Sequence, residues 1–421
     1  MAAELSPVFD PRAVIDGRAP GRTRVSFIAG IAITAACAIL ALGIEMGQGF
    51  AAGDGAVPFM VALPLALLPV PLLIALVLWV DRLEPEPRAN LAFAFGWGAG
   101  IAALFALLIN TAGLVYITQP DLGDSAGEFV SATFGAPVVE ETLKGAVLVG
   151  LLWRRRQEFD GPTDGVIYAA MVGLGFAMIE NVGYYINALV TPMHGGVALL
   201  GFTFVLRGVL APLLHPLFTS MTGLGVAYTA TRRDAGFGPV LVGWVAAMLL
   251  HGTWNGLSAI GAPGLAVGYA IMFCVLLVVV GVVVRDRRRL VRLIRSYLPS
   301  YAPTGLVTAD DVVMLSSLRA RRRARNWARA SGLGAAAAMG DYQLAATELA
   351  LLHDKARRGV VSAPRFLDRQ RDLLVLMHAA RSAFLGRWAG QLRPPWAASG
   401  GSGFSGGPPR SAPLPPYAGR G

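Results

Sequence analysis

The sequence predicts an all-α membrane protein, a polytopic bundle of about eight transmembrane helices with a small helical cytoplasmic C-terminal region. Of its 421 residues, 55% are hydrophobic and only 15% are charged, and the mean hydropathy is +0.56. These values lie outside the range of soluble globular domains. Because a helix needs about 20 apolar residues to cross a bilayer, the repeated apolar runs of that length indicate several spans.

The predicted spans occupy the first two thirds of the chain. They cover about residues 25–46, 57–80, 89–117, 130–152, 163–188, 198–230, 238–260 and 264–284. In the second span, Pro64, Pro69 and Pro71 are expected to kink or split the helix, since proline cannot donate the backbone hydrogen bond. We find no internal repeat.

Basic residues lie on one set of the predicted loops. If the N-terminus is cytoplasmic, the cytoplasmic segments of the membrane part carry eleven arginines, whereas the opposite loops contain no Lys or Arg. Cytoplasmic loops of membrane proteins are enriched in Lys and Arg. The sequence therefore predicts a multi-pass plasma-membrane protein with both termini in the cytoplasm.

The predicted domains follow the change in composition. They are a cytoplasmic N-terminal segment (1–24), a transmembrane domain (25–284), a basic helical cytoplasmic region (285–393) and a disordered Gly/Pro/Ser-rich tail (394–421). Within the basic region, Thr308 and Asp311 stand at capping-box spacing, and amphipathic helices are expected near residues 341–358 and 364–388.

The C-terminal part holds most of the positive charge. Residues 285–421 contain 23 Lys or Arg against 8 Asp or Glu, and the run "RARRRAR" occupies residues 319–325. Such a run can bind nucleic acid or the anionic headgroups of membrane lipids. We favour lipid as the partner, because no nucleic-acid-binding fold is visible in the sequence.

Ionisable side chains inside the predicted spans are the main functional signal, because each one costs on the order of 3 kcal/mol at the centre of a bilayer. In the fourth span, Glu140 and Glu141 lie one helical turn before Lys144. One reading is a self-neutralised salt bridge. The other is a pair of carboxylates that share a proton and activate water as a general base, which we favour because two carboxylates face one ammonium.

More polar groups lie in the next three spans. They are Phe176 and Glu180 in span five, Arg207 and His215 in span six, and His251 and Asn255 in span seven. His251 and Asn255 share one helical face. Arg207 can be either a counter-ion for a glutamate or a contact for the substrate. Each histidine can be either a functional residue or a packing residue.

Together these residue types suit hydrolysis. A glutamate can take a proton from water, a histidine can bind a metal or transfer a proton, and an asparagine amide can donate to an oxyanion. The sequence has neither the GxSxG nor the HExxH motif. Activated water is therefore the preferred attacking group.

Five short motifs carry a family resemblance. The segments "EETLK", "FAMIEN" and "HGTWN", a histidine in the intervening span, and "DRLEPEP" between spans two and three resemble the PrsW family of intramembrane proteases. That family is related to the CAAX-processing and bacteriocin-processing (Abi) membrane proteases. The resemblance covers about residues 80–260.

The resemblance implies an intramembrane endopeptidase that cleaves membrane-tethered proteins, in regulated proteolysis of signalling proteins. The implied catalytic residues are Glu140, Glu141, His215, His251 and Asn255, with Lys144, Phe176, Glu180 and Arg207 in support. Glu180 stands where the related proteases place a histidine. Two mechanisms are left as alternatives. One is a zinc site of His215, His251 and Glu180 with one open position for water, and the other is activation of water without a metal.

A proton-coupled transporter or channel is the alternative function. Intramembrane Glu, His and Arg also build proton relays. Transporters are commonly built from repeated halves, and the absence of a detectable repeat favours the hydrolase.

Overall fold

The prediction of an all-α fold is confirmed. The computed structural model describes residues 24–191 and 196–385, and over these residues it contains helices and no strand. The predicted N-terminal segment, apart from Arg24, and the predicted tail from residue 394 lie outside the described residues.

The chain divides into two compact units, which we call the membrane unit and the C-terminal unit. Within the described residues, the membrane unit comprises 24–191, 196–230 and 234–283, and the C-terminal unit comprises 231–233 and 284–385. The helices up to the unit boundary are α1 (Arg24–Ala51), α2 (Val57–Leu67), α3 (Val70–Val80), α4 (Arg88–Trp97), α5 (Ala103–Gly113), α6 (Gln119–Leu122), α7 (Asp124–Val130), α8 (Ala136–Arg155), α9 (Pro162–Val190), α10 (Val197–Phe204), α11 (Leu214–Ala230), α12 (Gly238–Ser258) and α13 (Ala262–Tyr297), the last of which crosses the boundary.

Seven helical stretches within the described residues are long and apolar enough to cross a membrane. They are Phe27–Ala51, Val57–Leu83, Arg88–Leu122, Pro162–Val190, Val197–Ala230, Gly238–Ser258 and Ala262–Thr304. The remaining predicted span corresponds to α8, whose Glu140, Glu141 and Lys144 lower its apolar character. The predicted proline break falls at Pro69, between α2 and α3.

Wide π-helical turns interrupt several of the membrane helices. They occupy Gly98–Ala102, Leu114–Thr118, Ser131–Gly135 and Val205–Leu210. A π turn inserts one extra residue into the helix and is frequent at functional sites. Two of these turns matter below, because one directly precedes α8 and the other contains Arg207.

Helices α9 and α11 touch through their backbones. A Cβ atom built on Gly165 would lie 2.1 Å from the carbonyl oxygen of Gly223, and one built on Gly223 would lie 2.2 Å from that of Gly165. At Gly173 a Cβ would lie 2.5 Å from the backbone nitrogen of Pro216. Small residues allow this close approach in membrane bundles, and it holds His215 directly against α9.

In the part of the C-terminal unit that the structure describes, four further helices pack around their own core. They are α14 (Ala309–Leu315), α15 (Leu318–Arg329), α16 (Leu333–Arg357) and α17 (Ala363–Leu385). The predicted capping box is confirmed, since the Asp311 amide donates to Thr308 Oγ1 at 3.1 Å and the Thr308 amide donates to Asp311 Oδ2 at 2.9 Å. The two predicted amphipathic helices correspond to α16 and α17.

A buried histidine joins the helices of this unit. The Tyr301 hydroxyl lies 2.6 Å from His353 Nε2, and it accepts a hydrogen bond from Gln370 Nε2 at 2.6 Å. Burial lowers the pKa of His353 to about 4. The imidazole is therefore neutral at pH 7, where it can accept the tyrosine hydrogen bond.

Candidate active site

Helix α8 contributes two carboxylates and an amine to the interior of the membrane unit. It begins at Ala136 with Pro137 in its first turn, where proline is tolerated because the amide has no intrahelical partner. Glu140 is 5% exposed, and Glu141 and Lys144 are 0% exposed. All three face the interior because residues three or four apart share one side of a helix.

Lys144 is the centre of the cluster. Its Nζ lies 2.7 Å from Glu141 Oε1 and 3.3 Å from Glu140 Oε2. The same atom lies 3.0 Å from His215 Nδ1 and 4.0 Å from the centre of the Phe176 ring. The ammonium thus connects both glutamates with a histidine on α11 and an aromatic ring on α9.

The two glutamates differ in how tightly they are held. Glu141 accepts from Thr219 Oγ1 at 3.0 Å, and its other oxygen lies 3.1 Å from His251 Nδ1 and within reach of Lys144. Glu140 has longer contacts: 3.2 Å from Asn110 Nδ2 and 3.8 Å from His251 Nε2. Glu141 is therefore fixed by short bonds on both oxygens, and Glu140 is the looser carboxylate.

Glu180 occupies a second branch of the cluster. Its Oε2 lies 2.8 Å from His215 Nε2 and is also paired with Arg207. Arg207 Nε donates to Asn181 Oδ1 at 2.7 Å, and its guanidinium stacks 3.6 Å from the centre of the Tyr184 ring. His215 consequently bridges Lys144 on one ring nitrogen and Glu180 on the other.

Aromatic stacking orients the two histidines. The rings of His215 and His251 meet edge to face with centres 5.2 Å apart, and Phe218 stacks on His251 at 4.8 Å. Both histidines are buried. Eight of the nine predicted site residues thus belong to one connected network.

Asn255, the ninth predicted residue, has another partner. Its side-chain amide donates to the carbonyl oxygen of Ala132 at 2.8 Å, in the π turn that precedes α8. Among the described residues, no hydrogen bond or ion pair joins Asn255 to the glutamates. The contact ties α12 to the start of the glutamate helix.

Sequence reasoning missed three polar residues. Asn110 and Thr219 hold Glu140 and Glu141, and Glu45 is a buried carboxylate on α1. Asn110 and Glu45 were detectable, because strongly polar side chains inside apolar spans are functional candidates. Thr219 left no signal, because threonine is common in membrane helices and its partner is distant in sequence.

The donor atoms also fit a metal. Glu140, His215 and His251 each offer one ligand atom, and these atoms all lie within 4.8 Å of one another. Two imidazoles and a carboxylate match catalytic zinc sites with an open position. The carboxylate in this group is Glu140, whereas Glu180, the carboxylate predicted from the sequence, is paired with Arg207 and His215.

Comparisons with known proteins relate the segment that holds this cluster to one family. The sequence model of the PrsW family of intramembrane metalloproteases matches residues 86–284, a range that contains every predicted site residue. This segment of the chain is therefore similar to the PrsW family. Protease PrsW of Oceanobacillus iheyensis is 30% identical over 127 residues, which are 30% of this chain and 54% of the relative.

Two further PrsW proteases are similar to the chain. That of Geobacillus kaustophilus is 27% identical over 177 residues, covering 42% of this chain and 69% of the relative. That of Clostridioides difficile is 32% identical over 119 residues, covering 27% and 47%. The chain therefore spans about half to two thirds of these relatives, and no solved structure matches it.

The similarity to PrsW proteases bears on the two functions considered above. The family description and the three named relatives are those of proteases. They do not favour the transporter or channel. The match ends at residue 284, so α14 to α17 lie outside the matched range.

Proposed function

We propose that the chain is an intramembrane endopeptidase that hydrolyses peptide bonds of membrane-tethered proteins, with water as the nucleophile. One observation carries the proposal: two buried glutamates, two buried histidines and one lysine form a single network in a segment that is similar to PrsW intramembrane metalloproteases. Regulated proteolysis of signalling proteins is the role we infer from the family resemblance.

Glu140 is the general base in this mechanism. It is the looser carboxylate, so one oxygen can exchange its long contact for a water molecule. Glu140 takes a proton from that water while the hydroxide oxygen attacks the carbonyl carbon of the substrate. When the C–N bond breaks, the same proton passes to the leaving amine, so the cycle ends with Glu140 as it began.

The neighbouring residues orient the reacting groups and neutralise their charge. Glu141, fixed by Thr219 and Lys144, holds His251 through Nδ1. This leaves His251 Nε2 facing Glu140, where it can share in proton transfer. Asn255 is the oxyanion donor we propose: a carboxamide carries two N–H groups, so donation to Ala132 leaves a second one for the substrate.

Zinc is compatible with this arrangement. Glu140, His215 and His251 would hold it, and the bound ion would lower the pKa of water and polarise the substrate carbonyl. His215 would then exchange its contact with Lys144 or Glu180 for the ion. The family description as metalloproteases supports metal dependence.

The plasma membrane is the location we propose, with both termini in the cytoplasm. This orientation rests on the distribution of arginine among the loops. The test uses a variant in which Cys37 and Cys274 are replaced by Ser. A single cysteine is introduced at Arg82 or at Gly123, in loops predicted on opposite sides, and intact cells are labelled with a membrane-impermeant thiol reagent. Reaction of the Gly123 position alone is expected.

The decisive experiment is proteolysis in liposomes. Purified protein is assayed against a panel of single-span membrane-tethered proteins, and Glu140→Gln is expected to reduce cleavage by about 10²–10⁴-fold. Glu128→Gln is the matched control, because Glu128 is an exposed glutamate on α7. Cleavage at the wild-type rate by Glu140→Gln would overturn the mechanism.

Metal content is measured on the same samples. If zinc binds at the site, wild-type protein retains it after gel filtration, and His251→Ala loses it while keeping its helical content. Undiminished cleavage after complete removal of metal would instead support activation of water by the protein alone.

A further inference from the structure

The cytoplasmic continuation of α13 carries a stripe of exposed arginines. Its members are Arg285, Arg288, Arg292 and Arg295, which are all exposed. At about 100° per residue, these four positions lie within about 80° of one another around the helix. They therefore form one narrow basic face, about 15 Å long at 1.5 Å per residue.

The opposite face of the same segment is packed. Leu290, Leu293 and Ile294 are buried in the C-terminal unit. Arg289, on the packed side, bonds to Asp286 at 3.0 Å and to Asp354 at 2.5 Å. Arg289 therefore pairs with carboxylates on the packed side of the helix, whereas the arginines of the stripe face outward.

The outward arginines have few protein partners. Among the described residues, Arg285, Arg288 and Arg292 form no ion pair, and Arg295 makes one hydrogen bond, to Ser316 Oγ at 3.3 Å. The one acidic side chain of α13, Asp286, is engaged by Arg289. The stripe is therefore a concentration of positive charge with no internal counter-charge.

The stripe continues the exposed side of the candidate membrane span. Val278, 66% exposed, lies seven residues before Arg285, and Gly281, also exposed, lies seven before Arg288. Seven residues are almost two helical turns, so each pair shares a face. The apolar run ends at Val284, and Arg285 follows it directly.

The direction of the helix aims these side chains at the membrane. In an α-helix the Cα–Cβ bonds tilt toward the N-terminus, and the N-terminal part of α13 is the apolar span. Long arginine side chains extend along this direction and place their guanidinium groups at the headgroup level. Guanidinium groups bind phosphate oxygens in a bidentate manner.

We propose that this face of α13 is a binding site for anionic phospholipid headgroups. The site differs from the run 319–325 that the sequence singled out for lipid binding. In that run Arg321 is buried and donates to Leu315 O at 2.8 Å and to Thr347 Oγ1 at 2.7 Å.

The test measures lipid selectivity directly. The full chain is reconstituted in phosphatidylcholine bilayers with trace spin-labelled phosphatidylglycerol or phosphatidylcholine, and the motionally restricted fraction of each label gives their relative affinity. We expect a preference for phosphatidylglycerol of about five-fold. The attraction between one Lys or Arg and an anionic headgroup raises the affinity by about that factor. Because the attraction is electrostatic, the preference should fall at high salt.

Three variants locate the site. Replacing all four stripe arginines with Gln should remove most of the preference, and replacing them with Lys should keep it. The matched control replaces four exposed arginines of α15 with Gln: Arg319, Arg322, Arg323 and Arg329. Circular dichroism checks that each variant is helical.

Two results would overturn the proposal. An unchanged preference in the Gln variant of the stripe would mean that these arginines only set the topology of the chain. An equal fall in both Gln variants would mean that total charge attracts the lipid. If the stripe variant does not fold, the wild-type protein still tests the proposal. A wild-type protein that shows no preference for phosphatidylglycerol, or a preference that does not respond to salt, contradicts it.

Discussion

Removing the charge of Lys144 should destabilise the membrane unit more than any surface substitution. Its ammonium is fully buried and lies 2.7 Å from Glu141 and 3.3 Å from Glu140. In Lys144→Met the side chain keeps a similar length and loses its charge. Both carboxylates then stand in the interior without the cation that offsets their charge.

The expected loss follows from the burial of the pair. Breaking a buried ion pair by removing one partner costs about 3–5 kcal/mol, because the other charge is left uncompensated. Glu141→Gln alone should cost about 1.5–3 kcal/mol, the range for a hydrogen bond to a charged group. In the double variant Lys144 and one glutamate are both neutral, so the loss should be smaller than the sum by about 2 kcal/mol.

The assay is the free energy of unfolding in detergent, measured for the four proteins of this double-mutant cycle. The control cycle uses Arg155→Met and Glu158→Gln, a pair with the same i, i+3 spacing and a 2.8 Å contact that is partly exposed. Its coupling should stay below about 1 kcal/mol. If the Lys144 and Glu141 substitutions are additive within about 0.5 kcal/mol, the two groups do not stabilise each other and the reasoning is wrong.

Three other predictions test the packing, the support of the site and the C-terminal unit. Gly165→Ala should destabilise the membrane unit by about 1–3 kcal/mol, because its Cβ would meet the backbone of α11; Gly150→Ala, where a Cβ meets nothing within 4 Å, should stabilise α8 by up to about 1 kcal/mol. Thr219→Val should lower kcat in the liposome assay because it removes the bond that fixes Glu141, and Thr219→Ser should restore it. Burial lowers the pKa of His353 from 6.5 to about 4, so the unfolded state binds its proton first and the C-terminal unit should lose stability as pH falls from 6.5 toward 4. Thermal unfolding followed by circular dichroism should show this slope in wild type and a smaller one in His353→Gln.

The sequence was sufficient to predict the helices and most members of the connected polar network. Apolar run length located the spans, and ionisable residues inside them identified Glu140, Lys144 and His251 because such residues are costly in lipid. Pairing within α8 was also predictable, since helical spacing alone brings Lys144 to both glutamates.

Contacts between helices were not predictable in this way. Whether His215 meets Glu180 or Lys144 depends on how far α9 and α11 are rotated, and the glycine contacts that set this are visible only in three dimensions. The partner of Asn255 depends on a π turn, which shifts the register of a helix without altering its apolar pattern.

The charge of the connected cluster bears on the choice between a proton and a metal. Three carboxylates, Glu140, Glu141 and Glu180, face two cations, Lys144 and Arg207. One negative charge is left over, and each of the three carboxylates lies within 4 Å of a histidine nitrogen. A proton or a metal cation can each offset it at the same atoms, so the two compete. Because histidine must be neutral to bind a metal, zinc added to metal-free protein at low pH should release protons, and this release should disappear in His251→Ala. Zinc binding without any change in proton release would place the ion elsewhere.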